Sequence, residues 1–160
     1  MNKVSDFFIR ANWLIRPLMD SPFHWLLSSR LVLLRFRGRK SGKEFVTPVA
    51  YTKFDDWILI CLTETRGRKW WRNYTTPWPM ELKYRGAWRS GYAVVVAPGS
   101  DEYRQWYERI FNRDGFMAKI MKIHDYDRKA GLTAAQLDIL LQATTGLVKF
   151  AASEEQLRKG

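Results

Sequence analysis

At 160 residues, 46% of them hydrophobic and 15% aromatic, the chain is long enough to bury the core of one domain and too apolar to be intrinsically disordered. Lys and Arg number 27 against 16 Asp and Glu, a formal charge of +11, and such a field draws polyanions: nucleic acid, anionic lipid or a phosphorylated small molecule. One cysteine, Cys61, and two histidines without ligand spacing exclude a disulfide framework and a Cys- or His-rich metal centre.

No repeat, linker or low-complexity tract divides the sequence, so we read 1–160 as a single domain with an N-terminal helical segment, 1–29. No signal peptide is visible, and no apolar stretch has the length of a bilayer span. Residues 3–15 place Val4, Phe7, Phe8, Ala11, Leu14 and Ile15 at helical spacing, ended by Pro17. A short second helix is predicted over Phe23–Leu27 behind Ser21-Pro22, a cap followed by proline at the first helical position. Helix 3–15 and the stretch Phe23–Leu34 bring Phe7, Phe8, Trp13 and Trp25 close to Arg10, Arg16 and Arg30, a pattern that packs over a core or lies on an anionic membrane face.

Strand signals follow. Leu31–Arg37 is β-rich, and Gly38-Arg39-Lys40-Ser41-Gly42 is a glycine-bounded turn. Glu44–Lys53 alternates, with Phe45, Thr47, Val49 and Tyr51 on one face, and Pro48 makes it an edge strand or a bulge. Trp57–Leu62 is apolar on both faces, hence central, and buries the Cys61 thiol in a chain suited to a reducing, cytoplasmic setting. Met80–Arg85 alternates strictly, and Gly86 turns it into Ala87–Ala97. Helices are then predicted around Tyr103, Trp106, Tyr107, Ile110 and Phe111, over Phe116–Tyr126, and behind the capping-box pair Thr133/Gln136. Gly146 is the expected stop of the last one, before a strand over Leu147–Ala152. Helices gathered at the ends of a run of short strands predict an α+β barrel.

Two segments carry chemistry. From Arg30 to Lys43 there are six basic residues and no acidic one. The glycines flanking Arg-Lys-Ser permit a concavity of backbone N–H groups that binds phosphate oxygens, to which Arg39 adds bidentate donors, Lys40 a point charge and Ser41 a hydroxyl. A solvated basic hairpin turn has the same sequence. The second segment, Arg66-Gly67-Arg68-Lys69-Trp70-Trp71-Arg72-Asn73, interleaves bases and aromatics, as for a phosphorylated ring system or single-stranded nucleic acid. One tryptophan is expected in the core and one at the site. No nucleophile elbow, carboxylate pair or metal cluster accompanies these segments, so no catalytic side chain is assigned, and enzymatic chemistry requires a cofactor. No nucleic-acid-binding motif accompanies the charge, which argues against a nucleic-acid partner.

Leu33-Leu34-Arg35-Phe36-Arg37-Gly38-Arg39-Lys40-Ser41-Gly42-Lys43, then Thr47-Pro48-Val49-Ala50-Tyr51, then Trp70-Trp71-Arg72-Asn73-Tyr74 together resemble the deazaflavin (F-420)-dependent nitroreductase and quinone reductase family over roughly residues 20–96. The resemblance implies a split β-barrel of about six antiparallel strands with flanking helices, often dimeric. It implies coenzyme F-420, with FMN as the alternative, and hydride transfer to a quinone, nitro or enone-like acceptor that is small and hydrophobic. Carried over by position, Arg39, Lys40, Ser41 and Gly42 hold the phosphate, Pro48 and Val49 lie beside the ring, and Lys69 and Trp70 line the cofactor pocket. Asn73 holds the turn that positions Trp70, and His124 and Tyr126 are candidates on the acceptor side. The other reading is a non-enzymatic split barrel binding lipid, haem or another hydrophobic ligand, with peripheral contact at the inner membrane face open to both.

Overall fold

A computed structural model describes residues 30–63 and 69–159. The predicted N-terminal helices, and Glu64, Arg66 and Arg68, lie outside the described residues. Seven strands form one antiparallel sheet: β1 (Leu31–Arg37), β2 (Glu44–Ala50), β3 (Thr52–Phe54), β4 (Trp57–Thr63), β5 (Trp78–Tyr84), β6 (Ala87–Val96) and β7 (Thr144–Ala151), in the spatial order β2-β1-β5-β6-β7-β4-β3. The first and last strands of that order, β2 and β3, are consecutive in the chain, separated by Tyr51 alone. One continuous run, 44–54, therefore pairs with β1 at one edge and with β4 at the other, and the sheet must curl round to meet itself. Counting that run once, six strands make the barrel, which is the α+β split-barrel architecture the sequence predicts.

Alternation sorts the side chains. Val32, Leu34 and Phe36 of β1, Val49 of β2, Ile58, Ile60 and Leu62 of β4, Met80, Leu82 and Tyr84 of β5, and Val148 and Phe150 of β7 fill the barrel. The opposite face of β4, β6 and β7 supplies Leu59, Val96 and Leu147 to a second core. That core is covered by α1 (Asp101–Arg113), which lays down Tyr103, Trp106, Tyr107, Ile110 and Phe111 as its spacing predicts, and which Ser100 caps by accepting the Tyr103 N–H at 3.1 Å. On this face Lys149, 2% exposed, is paired to Glu102 at 2.5 Å and lies over the Trp57 ring at 4.8 Å. Removing Glu102 would strand a buried charge. Where β6 passes β7 no side chain fits: a Cβ on Gly91 would lie 2.2 Å from the Ala151 carbonyl oxygen and 2.6 Å from the Phe150 ring.

Three boundaries differ from expectation. The helix predicted over 116–126 is the single stretch α2 (Gly115–Ile120), because Lys122 (φ 62) and Asp125 (φ 55) take left-handed conformations as the chain folds Met121 and Ile123 inward. The capping box of Thr133 and Gln136 forms at the head of α3 (Ala134–Ala143), but β7 begins directly at Thr144, whose N–H satisfies Leu140, so Gly146 lies within the strand and does not end the helix. A last helix, α4 (Glu154–Lys159), carries the ion pairs Glu154–Arg158 and Glu155–Lys159 at i,i+4 spacing. Cys61 packs partly buried against the second core, and desolvation pushes its thiol up to about 11. No described helix is long and apolar enough to cross a membrane.

Candidate functional site

The β1–β2 hairpin is closed by Gly38 N–H to the Lys43 carbonyl (2.9 Å) and Gly42 N–H to the Gly38 carbonyl (2.8 Å). Gly42 sits at φ +63, a conformation that glycine adopts without the Cβ penalty. Within the loop the Ser41 hydroxyl accepts the Lys43 N–H at 3.3 Å. The amides of Lys40 and Ser41 donate to no group among the described residues. Two adjacent N–H groups without a described acceptor thus lie beside a left-handed glycine. Lys40 and Ser41 are exposed, as is Arg39.

Arg39 is anchored rather than loose. Its backbone N–H donates to Asn73 Oδ1 at 2.8 Å, Nη1 donates to Thr76 Oγ1 at 2.8 Å and Nη2 to the Thr76 carbonyl at 3.1 Å. The Asn73 amide faces both ways, for its Nδ2 donates to the Trp70 carbonyl at 2.7 Å. The 3-10 turn Trp70–Tyr74 is thereby tied to the hairpin tip across a sequence separation of more than thirty residues, which brings the two motif segments together. Lys69, at the start of that turn, is exposed.

Below the tip the barrel mouth is aromatic. Phe36 lies 6.3 Å from both Trp70 and Tyr74, and Trp70 lies 6.0 Å from Tyr74. Trp70 and Trp71 are both half-buried against the barrel core, so the expected division into one core and one site tryptophan does not describe them. Tyr74 is fully buried, its hydroxyl has no hydrogen-bond partner among the described residues, and burial pushes its phenol well above the ordinary range. Phe45 stacks on Phe36 at 5.3 Å yet is 46% exposed, leaving one aromatic surface open beside the tip. Phe45, Thr76 and Trp78 are not among the site residues that the sequence predicts. The alternation placed Phe45 on the apolar face, but only the fold shows that this face runs out at the rim.

Pro48 and Val49 point to opposite sides. Val49 is in the barrel core, while Pro48 is half-buried on the outer side, so only one of these side chains could border a ligand on a given face. The backbone adds a feature. Tyr51 N–H donates to the Arg30 carbonyl at 3.2 Å, so odd-numbered residues of the run turn their amides toward β1, and Val46, Pro48 and Ala50 turn theirs to the unpaired edge. With Glu44, which has the same parity, that edge offers four carbonyls and three N–H groups, since Pro48 has none.

His124 and Tyr126 belong elsewhere. The Tyr126 hydroxyl donates to Asn112 Oδ1 at 3.1 Å, and Tyr126 lines an open cleft of about 470 Å³ with Arg104, Glu108 and Arg128; His124 is exposed, and its carbonyl accepts from Gln136. Neither contacts the hairpin tip. No cluster of metal-ligating side chains occurs among the described residues.

Comparison with known proteins gives one family and several shapes. The family model for F-420H(2)-dependent quinone reductase matches residues 24–115. Among solved structures, an F-420-H2 dependent reductase (FDR-A) is similar at 12% identity, with 76% of this chain and 93% of that chain covered and a TM-score of 0.47. HutZ, the heme storage protein from Vibrio cholerae, is similar at 12% identity, 82% and 88% coverage and a TM-score of 0.49. An FAD and heme binding protein from Mycobacterium smegmatis is similar at 17% identity, 83% and 67% coverage and a TM-score of 0.45. A search of curated proteins found no match.

Proposed function

We propose, for a chain that belongs to the F-420H(2)-dependent quinone reductase family, that the β1–β2 hairpin tip grips the phosphate of coenzyme F-420 and that the bound cofactor reduces a small hydrophobic acceptor. The family's chemistry is cofactor-dependent oxidoreduction with F-420; a quinone, nitro or enone-like compound is the acceptor class we infer for this chain, in the cytoplasm or at the inner membrane face. FMN is the alternative occupant of the same cradle, and a homodimer is the assembly we infer.

The observation that carries this reading is the pair of unspent Lys40 and Ser41 amides between Arg39, Lys40 and Lys43, with Glu44 the nearest acidic residue in the chain. The residues fit the group: N–H donors bind phosphate oxygens, the guanidinium supplies a charge-assisted fork, and Lys40 adds a movable charge. When bound, the deazaflavin ring supplies the hydride. The chain's part is to orient and shield. The Val46, Pro48 and Ala50 edge would offer carbonyls and amides to the ring, Phe45 an apolar face at the rim, and Trp70, Phe36 and Tyr74 an aromatic wall. Lys69 lies at the head of the Trp70 turn to meet further negative charge. No side chain acts as a nucleophile.

Titration with F-420 and with FMN, followed by cofactor fluorescence, tests the reading. Replacing Arg39 and Lys40 together by alanine should weaken binding by about 3 kcal/mol, the scale of lost charge-assisted bonds, with the folded structure retained by circular dichroism. Equal affinity of parent and variant would refute the phosphate grip. Binding of neither cofactor would favour a non-enzymatic module instead.

A further inference from the structure

We propose that Trp78 and Thr76 are positioning residues that hold Arg39 as a pre-formed anion grip; this rests on the reading of the hairpin tip given above. An arginine on an exposed hairpin ordinarily samples many rotamers, and ordering it on binding subtracts from affinity. Arg39 is already ordered. Its Cζ lies 4.3 Å over the Trp78 ring, and two of its N–H groups are fixed by Thr76. The ring beneath it is fixed too, because Trp78 Nε1 donates to the Arg37 carbonyl at 3.3 Å, on the strand that leads into the hairpin. β5 therefore bolts an indole under the guanidinium, and β1 holds that indole from the other side.

A guanidinium has five N–H groups, and two are spent on Thr76, so three remain for an anion. A lysine at this position would keep the charge but lose the stacked plane and the fork. Lys40, one residue on, shows no side-chain contact among the described residues. The two cations thus divide the work: Lys40 attracts, and Arg39 sets direction. Trp78 acts only through Arg39.

The test uses the full chain and the variants Trp78→Leu, Trp78→Phe, Thr76→Val, Arg39→Ala and the pair Arg39→Ala/Trp78→Leu, with circular dichroism as the folding control. Fluorescence titration with F-420 should show about tenfold weaker binding for Trp78→Leu, near-parental affinity for Trp78→Phe, and no further loss from Trp78→Leu once Arg39 is alanine. The same loss in both backgrounds would overturn the proposal. A second readout needs no cofactor: in NMR spectra the Arg39 δ-protons should be shifted upfield by the indole in the parent and return to the range of an exposed arginine in Trp78→Leu. Unshifted δ-protons in the parent overturn the proposal whatever the cofactor does. A shifted, Trp78-dependent Arg39 in a chain that binds neither F-420 nor FMN sustains the positioning role and refutes the cofactor assignment alone.

Discussion

Tyr74 carries a polar atom into the barrel core for which the described residues offer no partner. A buried hydroxyl left unsatisfied costs free energy, so removing it should not. Tyr74→Phe is expected to leave stability unchanged or raise it by about 1 kcal/mol, as read from a urea midpoint. A clear loss would mean that an ordered water or a ligand serves that hydroxyl. At this scale the sequence was partly legible. The cationic, glycine-bounded tip can be read from residues 38–43 because its chemistry is local. Thr76 and Trp78 cannot, because their bearing on Arg39 arises only when β5 pairs beside β1 and sets Trp78 against Arg37.

Among the elements, β1, β5 and β6 show how a pair of charges can be used on the outer face of a sheet. Arg35 Nε donates to Glu81 Oε2 at 2.6 Å, Ser90 donates to the other oxygen of the same carboxylate, and the Arg35 guanidinium lies 4.1 Å over Trp88. The hydrogen bond from Arg35 holds the Glu81 carboxyl below its usual range. A depressed carboxylate contributes stability at neutral pH that is lost as pH falls through its folded value. The gap in unfolding midpoint between parent and Glu81→Gln should therefore narrow as the pH is taken below about 4, and a gap independent of pH would show that the pair does no such work. Strand positions were legible where alternation was strict, as over residues 80–84, although β5 starts earlier, at Trp78, and Arg85 belongs to the turn. The break at Tyr51 was not, since 44–53 alternates without interruption and only its exchange of partners, from β1 to β4, divides it. The 3-10 turn and α4 escaped for a related reason: each is too short for periodicity to register.

Across the whole molecule the charge is lopsided. Residues 30–50 and 69–96, which hold β1, β2, β5, β6 and the 3-10 turn, carry eleven Lys and Arg against two Glu, while residues 101–159 carry ten against nine acidic residues. Among the described residues, the attraction for polyanions expected from composition therefore belongs to the β1, β2, β5 and β6 side of the barrel. Replacing Arg37 and Lys83 by Glu should lower the salt needed for elution from a heparin column more than replacing Lys119 and Lys122 does, and equal shifts would contradict this polarity. Composition alone could state the sign and size of the field, but its placement required the topology. The same topology bears on synthesis. β7 lies between β4 and β6 and pairs with both, yet of the seven described strands it is synthesised last. A nascent chain stopped before Thr144 would expose two raw hydrogen-bonding margins, one on each side of the gap, to any neighbouring polypeptide. Arrival of β7 is thus the step that closes the gap between β4 and β6.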